Sequence, residues 1–137
     1  YEISACLVGS EMCIRDSDIT DEHYKEGDGF KTFTYMGKRI ALAVCGDLWY
    51  EENIEQINKE KFDFLLYPVY VTYNTEMWRT KLVSEYAEQA KKIPRPVFLV
   101  NSICDADNTR GGCYAFLNGK TVCEVPMGQD GYLLVRV

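Results

Sequence analysis

The sequence holds a single histidine, His23, and none of its six cysteines (Cys6, Cys13, Cys45, Cys104, Cys113, Cys123) forms a Cys-x-x-Cys pair. A zinc site needs Cys and His ligands at metal spacing, and a dithiol redox centre needs a second thiol close in sequence. Neither is present, so no metal and no cofactor are expected. No run approaches the roughly 18 apolar residues that span a membrane, and the first residues lack the basic-then-apolar order of a secretory signal. Basic residues are the minority, with 15 Lys and Arg against 21 Asp and Glu and a net charge of −6. A basic run interleaved with aromatics, the footprint of nucleic-acid binding, is missing. These absences predict no membrane and no nucleic-acid partner, a cytoplasmic location, and thiols in place of disulfides. Cys45, Cys113 and Cys123 fall in apolar, strand-like runs and are expected to be buried.

What remains is the balance of a soluble globular protein. Of 137 residues, 47% are hydrophobic and 26% charged, enough for one domain with a real core. Residues 1–17 show neither alternation nor helical period. The string from Val8 to Ser17 resembles a translated sequencing adaptor, so 1–17 are expected to be a non-native leader or a disordered arm. From Asp18 the pattern becomes coherent. Residues 30–36 alternate as a strand, Gly37-Lys38 turn the chain, and residues 40–44 form a continuous apolar strand of the kind covered on both faces. Glu51–Lys59 reads as a helix with Ile54 and Ile57 on one face. Residues 62–71 are a second buried strand whose pairing Pro68 is expected to end. Thr75 is the expected cap of a helix carrying Trp78, Leu82, Tyr86 and Ala90 on one stripe, stopped by Pro94 and Pro96. Residues 97–100 are a buried strand and residues 105–112 a polar loop. Residues 113–117, 121–125 and 132–137 are short strands, the first two joined at Asn118-Gly119. Strands alternating with helices predict a layered α/β fold.

Cys45 follows an apolar strand and precedes Gly46-Asp47, a turn-prone pair, and then a helix. The C-terminal end of a buried strand is where α/β sheets place ligands. A helix N-terminus and turn amides there favour a thiolate and can hold an oxyanion. Gly46 lets a carbonyl approach the backbone. A buried structural thiol fits the same position. Asp47 is expected to cap the following helix, Trp78 to belong to the core, and Asn101 to end its strand, a hydrogen bond to a loop near the site being the alternative.

The run from Gly27-Asp28 through Ala43-Val44-Cys45-Gly46-Asp47-Leu48-Trp49 resembles the nucleophile segment of the nitrilase superfamily, the carbon–nitrogen hydrolases. Asp63 to Pro68, Trp78 with residues 85–90, Val100-Asn101, and Gly112 to Leu117 with Gly119-Lys120-Thr121-Val122 resemble the family's later elements in order. The resemblance covers residues 18–137, so these are expected to be the C-terminal half of such a domain, a partial α-β-β-α sandwich.

The resemblance implies a Glu–Lys–Cys triad that cleaves an amide or carbamoyl bond of a small molecule through a thioester. Cys45 takes the nucleophile's place and Gly46 supplies a backbone N–H to the oxyanion. Glu22 falls where a second glutamate orients the lysine and the substrate; an exposed acid fits as well. Tyr70 and Val71 fall where the substrate pocket is lined, and Tyr70 equally suits ordinary packing. No lysine precedes Lys25, which is too close to Cys45 to match, and Glu2 and Glu11 match no motif. The triad lysine and base therefore have no candidate here, and this chain alone is expected to be inactive. The family implies a homo-oligomer. A glutaminase domain feeding ammonia to a synthetase, and a non-catalytic module on the same fold, are the alternatives.

Overall fold

The computed structural model describes residues 29–104, 109–129 and 131–136. The leader, Glu22 and the Gly27-Asp28 motif lie outside the described residues. The architecture is one six-stranded mixed sheet with helices on one face, plus a two-stranded ribbon. Sheet order is β1 (Thr32–Tyr35), β2 (Lys38–Leu42), β3 (Phe64–Val69), β4 (Val97–Asn101), β7 (Cys113–Leu117) and β8 (Lys120–Val125), while β5 (Ile103–Cys104) pairs with β6 (Thr109–Arg110). β2, β3 and β4 run parallel, and the pairs on either side are antiparallel.

Both hairpins follow from turn chemistry. Asn118 and Gly119 adopt φ of 51° and 74°, the left-handed pair that a two-residue turn between twisted strands requires. The first hairpin turns one residue earlier than expected, on Met36-Gly37, with φ of 47° and 78°.

Parallel strands need crossovers, and two helices supply them. α1 (Glu51–Lys59) lies between β2 and β3 and buries Ile54 and Ile57. α2 (residues 75–90) lies between β3 and β4. It is α-helical over Thr75–Met77, widens to a π turn over Trp78–Leu82, and is α-helical again over Val83–Ala90. The expected stripe of Trp78, Leu82, Tyr86 and Ala90 is buried throughout. The cap is Asn74, not Thr75: its Oδ1 accepts the Met77 N–H at 2.7 Å, so Thr75 becomes the first helical residue.

The core lies between the helices and one sheet face. Ala41, Leu65, Val97 and Phe116 form one row across the strands, and Tyr67, Leu99 and Tyr114 the next. The opposite face is also apolar, with Leu66, Pro68, Phe98 and Val100, and Phe64 meets Phe98 edge to face at 5.3 Å. The continuous apolar runs predicted cover on both faces. Among the described residues the helix side is covered, whereas the opposite face is buried at Ile40 and Ala115 but open at Val100, which is 51% exposed.

Pro68 does not end the pairing of β3, which continues to Val69 opposite Asn101. Leu65 donates toward β4 and Leu66 accepts from Ala43 on the β2 side, so alternate residues serve alternate neighbours. Pro68 falls on the β2 side, beyond the last β2–β3 pair, where no ladder bond calls for its missing N–H. Residues 132–136 form no strand, and Tyr132 and Leu134 are more than 80% exposed. Apolar alternation cannot hold a strand without a partner edge. Against the expected burial, Cys123 is exposed and Cys45 and Cys113 are half-buried: Cys123 lies on β8, the open edge of the sheet, Cys113 at the start of β7, and Cys45 lines a cleft at the end of β2. No helix among the described residues is long and apolar enough to cross a membrane.

Candidate active site

β2 and β3 are parallel neighbours, so both deliver their C-terminal ends to the same edge of the sheet. Past β2 the chain turns into a short 3-10 helix, Cys45–Trp49; past β3 it enters the 70–74 loop. An open cleft of about 280 Å³ lies between them. Cys45 and Gly46 line it from one side, Tyr70 and Val71 from the other. Two adjacent pairs far apart in sequence, each singled out from the sequence, are thus brought together. Glu22 lies outside the described residues.

Cys45 has φ of 46°, in the left-handed region that a side chain with Cβ enters only at a cost of about 1–2 kcal/mol. Three contacts hold the turn. Leu48, fully buried, anchors it for about 1.5–3 kcal/mol, enough to offset the strain. The Asp47 carboxylate accepts the Val44 N–H at 2.7 Å while Val44 O accepts the Asp47 N–H at 2.9 Å, closing a reciprocal loop around Cys45. The Tyr67 hydroxyl donates to the Cys45 carbonyl at 2.5 Å. Asp47, fully buried, therefore braces the turn and does not cap α1, whose N-cap is Tyr50. α1 begins at Glu51, as read from the sequence, and the segment between is a 3-10 turn, so the amides nearest Cys45 belong to that turn and not to α1.

The opposite wall is fixed from β4. Asn101 ends that strand, as expected, but its buried side chain does more. Its Oδ1 accepts the Val71 N–H at 3.0 Å, and its Nδ2 donates to Val71 O at 3.3 Å and Gly111 O at 3.1 Å. A primary amide can both accept from and donate to the backbone of one residue, which a carboxylate cannot.

Aromatic residues complete the cleft: Trp49, Tyr73 and Tyr86. Trp49 and Tyr86 meet at 5.2 Å and 88°, and Trp78 backs Tyr86 at 5.0 Å. Burial, with nearby Tyr86 and Cys45 adding to it, pushes the Tyr67 hydroxyl far above the ordinary tyrosine range. Burial raises Tyr86 likewise, with Tyr73 and Cys45 as smaller causes. Both stay protonated donors at any ordinary pH. By sequence alone Tyr86 belongs to the core stripe, and Trp49, Tyr67 and Tyr73 carry no assigned role. The recurrence of aromatics at 67, 70 and 73, beside the strand end, was the available signal. Among the described residues no cluster of three or more His, Cys, Asp or Glu could hold a metal ion.

No family model and no curated protein matches the chain. Solved structures do. The chain is similar to a glutamine-dependent NAD+ synthetase from Acinetobacter baumannii, at 17% identity and TM-score 0.66, over 86% of this chain and 23% of that one. It is similar to a carbon–nitrogen hydrolase from Helicobacter pylori, at 19% identity and TM-score 0.58, over 75% of this chain and 42% of that one. An amidase of the nitrilase superfamily from Nesterenkonia matches at 13% identity and TM-score 0.53, over 76% and 40%. Another structure of the Nesterenkonia amidase (14% identity, TM-score 0.56) carries the acetamide moiety of fluoroacetamide added covalently at the active-site cysteine. The fold is that of the nitrilase-superfamily carbon–nitrogen hydrolases. The chain spans 23% to 42% of the length of these structures.

Proposed function

We propose that residues 18–137 are the C-terminal half of a carbon–nitrogen hydrolase, and that the whole protein cleaves an amide or carbamoyl bond of a small molecule through a thioester on Cys45. The observation that carries this reading is the left-handed Cys45 at the open end of β2, lining a cleft of small-molecule size. Strained backbone at a strand end is retained where it presents a reacting group. The sulfur attacks the acyl carbon, a C–S bond forms, the C–N bond breaks, and the thiol proton leaves with the amine. Water then adds to the thioester carbon, the C–S bond breaks, and the acid departs as the thiol regains a proton. The Gly46 N–H is proposed to hold the oxyanion, since the Asp47 N–H is already bonded to Val44 O. Glu22 is proposed to orient the lysine that the family resemblance implies. In the whole protein, Cys45→Ser should abolish turnover and the acyl adduct seen by mass spectrometry of the Cys45 peptide. Retained turnover overturns the assignment.

A second reading, a glutaminase that supplies ammonia to a synthetase, is favoured by one observation: the likeness to the NAD+ synthetase covers 86% of the chain, against 75–76% for the hydrolase and amidase. Ammonia release from glutamine in preference to simple amides would establish it.

A further inference from the structure

We infer that the cleft selects amides whose acyl group is uncharged and aromatic. This rests on the reading of Cys45 as nucleophile. Four aromatic residues line the cleft with Cys45: Trp49, Tyr70, Tyr73 and Tyr86. They come from three separate segments: the 3-10 turn, the loop after β3, and α2. Tyr86 is 5% exposed and forms the floor, braced by Trp78 and Trp49. Trp49 and Tyr73 are 41% and 42% exposed and form walls that a ligand can still cover.

No Asp, Glu, Lys or Arg is among the described residues lining the cleft. Against this wall a carboxylate or ammonium on the acyl group would lose water and meet no counter-ion, the lysine and Glu22 of the proposed function being assigned to the reacting amide. A flat ring gains offset or edge contacts with Trp49, Tyr73 and Tyr86 instead. The volume suits one ring. A cavity of about 150 Å³ takes a benzene molecule, and about 280 Å³ leaves room for the scissile amide beside Cys45.

The test uses the whole parent protein and peptide-resolved mass spectrometry. Iodoacetamide alkylates Cys45 while benzamide, acetamide, glutamine or 4-aminobutyramide competes. Benzamide should protect at a concentration at least about tenfold below the other three, the order of discrimination an apolar pocket achieves. Tyr73→Ala should shrink that advantage about tenfold, and Tyr73→Phe should keep it. Ammonia release should rank the amides in the same order. Protection by glutamine or 4-aminobutyramide at or below the benzamide concentration overturns the inference, and so does an unchanged advantage in Tyr73→Ala. Failure of the underlying reading looks different: Cys45 does not alkylate, or Cys45→Ser keeps its turnover.

Discussion

The hydroxyl of Tyr67, in the middle of β3, donates its hydrogen bond at 2.5 Å to the carbonyl of Cys45, 22 residues earlier in the chain. One strand thereby holds the turn at the end of its neighbour in a conformation the turn would not hold alone. Tyr67→Phe keeps the ring in the core and removes only that donor. The part-buried carbonyl then loses that bond, at a cost of about 0.5–1.5 kcal/mol. A lowered urea midpoint with an unchanged slope is the expected result; an unchanged midpoint would show the bond to be dispensable.

Tyr67 also sets a limit at high pH. An unfolded tyrosine ionises near 10, whereas burial keeps the Tyr67 proton on well beyond that. Above pH 10 the unfolded state therefore binds fewer protons than the folded one. The stability from this group is complete below pH 10 and falls as pH rises past it toward the folded value. Tyr86 adds in the same sense. Urea midpoints between pH 8 and 11 should decline above pH 10, and less steeply in Tyr67→Phe.

Strain at Cys45 can be measured by comparing two small replacements. Alanine keeps a Cβ at φ of 46°, and glycine does not. Cys45→Gly should be more stable than Cys45→Ala by up to about 1 kcal/mol, the relief of left-handed strain exceeding the added chain entropy of glycine. Equilibrium denaturation of the two variants decides it; a less stable glycine variant would place the strain elsewhere.

Asp47→Ala strips the Val44 N–H of its acceptor inside the core. The expected loss is about 1–3 kcal/mol. Asp47→Asn retains an acceptor oxygen and should recover a good part of it. Thermal unfolding of both variants would show the order, and equal losses would point to the carboxylate's charge rather than its hydrogen bond.

Asn101→Asp retains the acceptor for the Val71 N–H but loses both donated bonds. Asn101→Ala loses all three. The Val71 amide should exchange with deuterium faster in both, and fastest in the alanine variant, read by hydrogen exchange with mass spectrometry. Unchanged exchange would mean that the 70–74 loop is held from elsewhere.

Much of this molecule is local in origin, and that part was legible. α1 falls on Glu51–Lys59, β7 on Cys113–Leu117, and the stripe of α2 on Trp78, Leu82, Tyr86 and Ala90, because periodicity and turn residues act over a few positions. Less legible were Pro68 and residues 132–136. Whether a proline can sit in a strand, or an apolar segment form one, depends on which neighbour lies alongside, and that is a long-range property. The cap expected at Thr75 falls one residue earlier, on Asn74, because the path of the chain decides which side chain meets the Met77 N–H.

The same division runs through the site. By itself the sequence determined that a cysteine follows an apolar strand and precedes a glycine turn, because local propensity and pattern encode that much. Tertiary structure alone decided that this turn is left-handed, that Asp47 and Tyr67 hold it, and that Asn101 fixes the facing wall. It also decided that Trp49, Tyr73 and Tyr86 meet in one cleft. Apart from Asp47, which bonds to Val44 three residues away, those relationships arise when parallel strands bring their ends to one edge, and contacts such as Tyr67–Cys45 and Asn101–Val71, 22 and 30 positions apart, leave no period in the chain.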